Sequence, residues 1–181
     1  HKQLGSKEKA CEFYRKALSE GLSGSSAEFA RMSLASLSFE LQNYAEAYSS
    51  FLSLCEGENA AVRGIDPFLG ALRSAFRAKM WEESVKAADE VLRRTADEAL
   101  VREALYDKAK AFDALGRNGN FDDYYFAAEN LLIDQLFRSN RFKEADNAAL
   151  RMEEEARRKG MRTAMVMSHR VHGQMFYKLS Q

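Results

Sequence analysis

The sequence predicts an all-α fold, and three observations carry that prediction. A marker recurs first: Gly5, Gln42, Lys79 and Gly116 stand 37 residues apart, each closing one helix-periodic stretch before the next begins. A repeat of this length is one two-helix unit. Between the markers, apolar residues return every three or four positions, the spacing of one helix face, with no alternating pattern of the kind a half-buried strand shows. Lastly, Pro67 is the one proline, and the glycines fall almost entirely between the periodic stretches, where helix ends are expected. A two-helix unit cannot bury its apolar face alone, so neighbours stack on a shared core. The expectation is an α-solenoid of about nine antiparallel helices.

Taken in order, residues 7–20 place Ala10, Phe13, Tyr14, Ala17 and Leu18 on one stripe, and Gly21 ends the helix. With the marker Gly5 before it, this helix reads as the second of a pair whose first survives only as His1–Leu4. Ser25 with Glu28 three residues on predicts a capping box and a helix running to Gln42. Its partner spans 43–55, with Ala47, Phe51 and Leu54 inward and Gly57 closing it. Asp66 before Pro67 predicts the next start, followed by helices over 66–79 and 81–94. Thr95 and Glu98 suggest another capping box, opening a helix that carries Leu105, Ala109, Phe112 and Leu115 to Gly116. An aromatic-rich helix follows over 122–138, with Asn120 and Asp123 as capping groups. Phe142, Ala145, Ala149 and Met152 then mark a helix ending at Gly160, and a final one covers 162–179.

The residues at these positions resemble the tetratricopeptide repeat family. In that family the first helix carries a large, then a small, then an aromatic residue, and the second a small, an aromatic and another small one. Here Ala35 and Ala109 take the small first-helix position and Leu72 departs from it, while Tyr44, Ala47, Phe51 and Leu54 fill the second-helix pattern. The family repeats at 34 residues and often closes with proline; this chain has three extra residues per unit and no such proline. The resemblance covers most of the chain and implies a right-handed α-solenoid of antiparallel helix pairs, a TPR-like superhelix. Its motifs specify a fold far more than an activity.

After Gly116 the period breaks: Asn140 follows at 24 residues, so one helix stands where the pattern asks for two. This divides the chain into residues 1–117, with the 37-residue period, and 118–181, in a shifted register but packed continuously on the first part. Two readings account for the break. Either the boundary decayed and 122–138 serves as the missing second helix, or two segments of different origin meet near 117–120, as in an engineered or recombined fusion with no natural ligand of its own. The later segment resembles the repeats found before bacterial sensor kinases, the earlier one those of bacterial envelope proteins. On the first reading, RNGN is a tight turn and Tyr125, Ala128, Leu131, Leu132 and Leu136 pack against Leu105, Ala109 and Phe112 in one core.

Composition narrows the function. Lys and Arg total 27 against 27 Asp and Glu, without a basic stripe, so phosphate-driven nucleic-acid binding is not expected. No apolar run reaches the roughly 20 residues of a membrane span. The chain opens on His1 rather than Met, which fits a removed leader or a trimmed start. Cys11 and Cys55 lie on helices of successive repeats, the ordinary place of small hydrophobes, and no activating histidine is close in sequence. His169 and His172 are three apart, with Glu153 to Glu155 as conceivable oxygen donors, but a solvated face explains them better than a metal. No Gly-rich loop follows a strand, and no cofactor is implied.

What remains is a binding surface. In the family the first helices line the concave face, which here maps to Phe29, Met32, Ser36 and Phe39; then Leu69, Arg73, Phe76 and Arg77; then Tyr106, Lys110 and Asp113. Aromatics beside arginines suit peptide recognition, although Phe39 and Phe76 could equally pack between units. Family members that grip a terminal carboxylate use lysine and asparagine where this chain has Met32 and Ser36, so that ligand is not expected. The expected function is a non-enzymatic protein–protein interaction scaffold for a peptide or partner helix, with a sensory input module of a bacterial signalling protein as the competing class.

Overall fold

The computed structural model describes residues 2–56 and 64–179, and among them every element is helical, with no strand. The described helices are α1 (Lys2–Ser19), α2 (Gly24–Glu40), α3 (Tyr44–Cys55), α4 (Asp66–Arg77), α5 (Trp81–Arg94), α6 (Glu98–Ala114), α7 (Asn118–Arg138), α8 (Phe142–Arg158) and α9 (Arg162–Leu179). The chain divides into two compact units, His1–Thr95 and Ala96–Gln181. That division by packing falls 22 positions before the division by period at 117, between Thr95 and Ala96.

The 37-residue marker has a physical identity. Gln42, Lys79 and Gly116 each adopt positive φ, at 62°, 58° and 72°, and each is the left-handed residue that closes a helix. The same hydrogen bonds form at all three. Beyond α2, the Gln42 amide donates to the Phe39 carbonyl and that of Asn43 to Ser38; beyond α4, Lys79 donates to Phe76 and Met80 to Ala75; beyond α6, Gly116 donates to Asp113 and Arg117 to Phe112. Orphan carbonyls at the helix end are satisfied this way, and the next helix begins two residues later. Asn140 and Gly160, at φ 58° and 70°, make the identical turn after α7 and α8. The period therefore breaks while the turn persists.

These turns, not capping side chains, decide where most helices start. Asn43, Met80, Arg117 and Arg141 precede α3, α5, α7 and α8 without a side-chain cap hydrogen bond. Accordingly Ser25 is not the start of α2, which is entered from Ser23. Thr95 closes α5 in extended conformation, and Asp97 is the residue that caps α6, its Oδ1 accepting from the amides of Ala99 at 2.9 Å and Leu100 at 3.1 Å. Nor does Gly5 close a helix: α1 runs through it. RNGN contributes the residue after the turn and the opening of α7, rather than a turn of its own.

In the first unit, α2, α3 and α4 pack through small residues. Ala35, Ala47 and Ala71 meet Phe51 and Leu54, with Met32, Phe39, Tyr48 and Cys55 along the edge. Each large apolar side chain buried there contributes roughly 1.5–3 kcal/mol. Gly70 marks the closest approach, for a Cβ at that position would lie 2.6 Å from the Phe51 ring. Arg15 of α1 reaches across to Glu46 of α3 in a bidentate pair, with one arm at 2.8 Å.

The second unit packs α6 on α7, α7 on α8 and α8 on α9. Phe121, Tyr125, Phe126, Ile133 and Leu136 of α7 meet a row of alanines from α8, Ala145, Ala148, Ala149 and Ala156, together with Met152 and with Met175 of α9. Ala109 of α6 belongs to the same core, so the packing is continuous through Gly116 to Phe121. Tyr125 and Leu136 are buried as the spacing expects, while Leu131 and Leu132 are half-buried and Ile133 takes the inward place. No described helix is long and apolar enough to cross a membrane.

Candidate functional site

The first-helix face of the first unit is sorted by the turns. Phe39 and Phe76 each stand three residues before the left-handed residue, and each meets, edge to face, an aromatic two residues after it: Phe39 on Tyr44 at 5.2 Å, Phe76 on Trp81 at 5.7 Å. Phe137 and Phe142 repeat this across Asn140 at 5.3 Å. Rings so placed brace the reversal, each pair contributing about 0.5–1.5 kcal/mol beyond its buried area. Both Phe39 and Phe76 are half-buried, as is Met32, and Leu69 is buried. Ser36, Arg73 and Arg77 are exposed.

Phe29 stands apart from these. It is 67% exposed, and its one described ring partner is Tyr14, at 6.4 Å, which also meets Phe13 at 5.9 Å. Together with Ala17, Leu22 and Ala30 they line a hollow of about 490 Å³ between α1 and α2. A second cleft in the same unit, about 530 Å³, lies over α3, α4 and α5. Tyr48, Leu52, Cys55, Phe68 and Ala71 form its apolar wall, and the Arg94 guanidinium caps one end, 3.9 Å above the Phe68 ring and paired with Glu90.

In the second unit the three expected residues lie on α6. Asp113 is exposed and Tyr106 is 37% exposed, whereas Lys110 is half-buried with its ammonium among rings, 5.5 Å from Tyr106, 5.3 Å from Phe121 and 5.6 Å from Tyr125. Around them lies a polar network that the sequence did not disclose. Glu129 of α7 is buried, 3.9 Å from Arg151 of α8, and burial pushes its carboxyl above the ordinary range against the pull of Arg151, Arg102 and Lys110. Burial likewise lifts the Tyr125 phenol to about 12, helped by Glu129 and Glu155, so it stays a proton donor at neutral pH. Lys159 pairs with Asp122 at 3.0 Å while lying 3.7 Å above Phe121, and buried Lys108 lies 4.0 Å above Tyr124. One signal was available: these charges fall on inward positions of the helical period.

Chemically this is a set of charges held against rings and carboxylates. Cys11 is fully buried and Cys55 half-buried, both as free thiols. His172 Nδ1 lies 2.6 Å from Asp146, and Glu153 lies 3.8 Å from its other nitrogen and 4.0 Å from His169. The two histidines thus share a carboxylate neighbour, but among the described residues no cluster of three or more His, Cys, Asp or Glu side chains could hold a metal ion. Comparison of the chain with models of protein families gives no match, and comparison with curated proteins gives none.

Proposed function

We propose that this chain is a non-enzymatic interaction scaffold of tetratricopeptide-like repeats, wound as a right-handed solenoid, whose first-helix faces take a peptide or a partner helix. The observation that supports it most is the recurrent closing turn. It sets successive helices antiparallel and leaves side chains of recognition type, Phe29 with Arg73 and Arg77 in the first unit and Tyr106 in the second, at the exposed surface of first helices. Aromatic and arginine anchors of this sort carry most of the energy in protein interfaces. The test is capture of a protein or peptide partner by the full chain, compared with Arg73→Ala and Arg77→Ala together. Capture weakened by at least about tenfold is expected of anchor residues, and undiminished capture would remove this face from the reading.

The competing reading, a sensory input module for a small molecule, draws on the cleft of about 530 Å³ over α3, α4 and α5. Its size is ordinary for such a ligand. The cleft opens to solvent, however, as a groove for a side chain of a partner would.

A further inference from the structure

The charges of α8 and α9 are arranged in opposite ways. Arg141, just before α8, pairs with Glu144, and on α8 Arg157 pairs with Glu153 and Arg158 with Glu155. Helix α9 carries Arg162, Arg170 and Lys178 and not one Asp or Glu, and none of those three cations has an ion-pair partner among the described residues. Its inward face is complete: Ala164, Ser168 and Met175 are buried, and the Ser168 hydroxyl donates to the Ala149 carbonyl at 3.1 Å. The outward face sets exposed apolar side chains beside its cations. Val166 is 67% exposed, Phe176 76% and Tyr177 64%, and helical spacing puts Val166, Arg170, Gly173 and Tyr177 on one line. At its middle a Cβ added to Gly173 would meet nothing within 4 Å, and beside it lies a hollow of about 570 Å³ floored by Phe137 of α7.

We infer that this face of α9 is a docking surface for an acidic amphipathic helix of a partner protein. Unpaired cations beside an apolar line call for carboxylates beside an apolar ridge, the arrangement that makes an interface complementary. Arg170 and Lys178 line the hollow and its neighbour against one carboxylate, Asp134. Concavity at Gly173 favours a helix, whose side chains project as ridges, over a membrane surface, which offers none. A second copy of α9 would set cation against cation. The surface shares no residue with the first-helix faces, so this inference and the scaffold reading fail separately.

The experiment titrates the full chain with a synthetic helical peptide of about five turns, leucine on its apolar face and glutamate flanking it, beside the same peptide with lysine for every glutamate. Saturable one-to-one binding of the glutamate peptide alone is expected. Arg170→Glu with Lys178→Glu should weaken it by at least about tenfold, as should Gly173→Trp, which fills the hollow. Circular dichroism and salt dependence accompany each variant, since these substitutions lie on an exposed face and should leave helicity unchanged. Equal binding of the lysine peptide, binding that survives both variants, or no binding would overturn the inference. So would capture of phosphatidylserine vesicles without capture of the peptide, or a self-association abolished by the same variants.

Discussion

The two units close their helices with the same turn and fill their interiors with different chemistry. In the first, every buried polar side chain among the described residues is a serine: Ser38, Ser50, Ser74 and Ser84. In the second, a lysine and a glutamate are buried, Lys108 and Glu129, among the rings of Phe112, Tyr124 and Tyr125. Small residues allow close helix approach and leave little to titrate. Rings offer faces over which a cation can lie, and a charge buried among them must be neutralised by neighbours or raised in energy. The same backbone device thus supports one interior whose buried polar groups do not titrate and another with buried groups that do.

Breaking the ring-filled interior should have the largest effect. Phe121 is fully buried, stacked on Tyr125 at 5.1 Å, and lies under Lys159. Phe121→Ala is expected to destabilise the second unit by roughly 3–5 kcal/mol. Hydrogen exchange should show α6 to α8 losing protection while α2 to α4 keep theirs; equal loss in both would mean the units unfold as one, and the contrast between them would have no thermodynamic meaning. Next in size is Gly70→Ala, which forces a methyl group against the Phe51 ring and should cost the first unit about 1–3 kcal/mol, read as a shifted denaturation midpoint without a changed slope.

The smallest effects carry the sharpest contrast, because two carboxyls titrate with opposite sign. The hydrogen bonds from Arg15 chiefly, and from Ser38 in addition, hold Glu46 below the usual carboxylate range against the effect of burial. The unfolded chain then binds the proton more tightly, so this contribution is present above about 4.3, the unfolded value, and is lost as pH falls through the lowered one. Glu129, raised by burial, works the other way: its folded state is favoured when protonated, and stability is lost as pH climbs from the unfolded value through the raised one. Glu46→Gln should cost about 1 kcal/mol or less at neutral pH and flatten the acid limb. Glu129→Gln should remove a loss on the neutral side. Denaturation of the full chain at several pH values, variant against wild type, measures both, and the same sign for the two would abolish the distinction.

Much of this fold was legible because turns and helix faces are local. Gln42, Lys79 and Gly116 disclosed the closing turn through spacing alone, and Asn140 and Gly160 fitted as helix ends. Gly5 misled, since glycine permits a left-handed turn without requiring one, and α1 runs through it. The capping boxes at Ser25 and Thr95 misled because the true entries lie at other residues: α2 begins two positions early, after Ser23, and Asp97 supplies the cap of α6. Glu129 and Lys108 were missed although their inward places on the helical period were a signal, because a charge reads as a surface residue until its neighbours are known. Of the expected face, Phe29 and Arg77 are exposed and Leu69 is buried, a distinction that depends on how neighbouring helices lie and on nothing in their own sequence.

The closing turn has one more consequence, for how such a chain can change length. Each such turn is completed by hydrogen bonds within six residues, and three of the six among the described residues, counting that at Gly21 after α1, are braced by a ring pair that spans the same few positions. Nothing in it refers to the helix two places away. A segment made of one helix and its turn is thus a self-contained word, and words can be added singly as well as in pairs. The spacings show both habits: 37 and 37 residues from Gln42 to Gly116, where two helices separate successive markers, then 24 and 20 to Gly160, where one does. Adding an odd number of words reverses the direction of every helix downstream and exchanges which face of the chain each presents, a switch of parity that no point substitution could make.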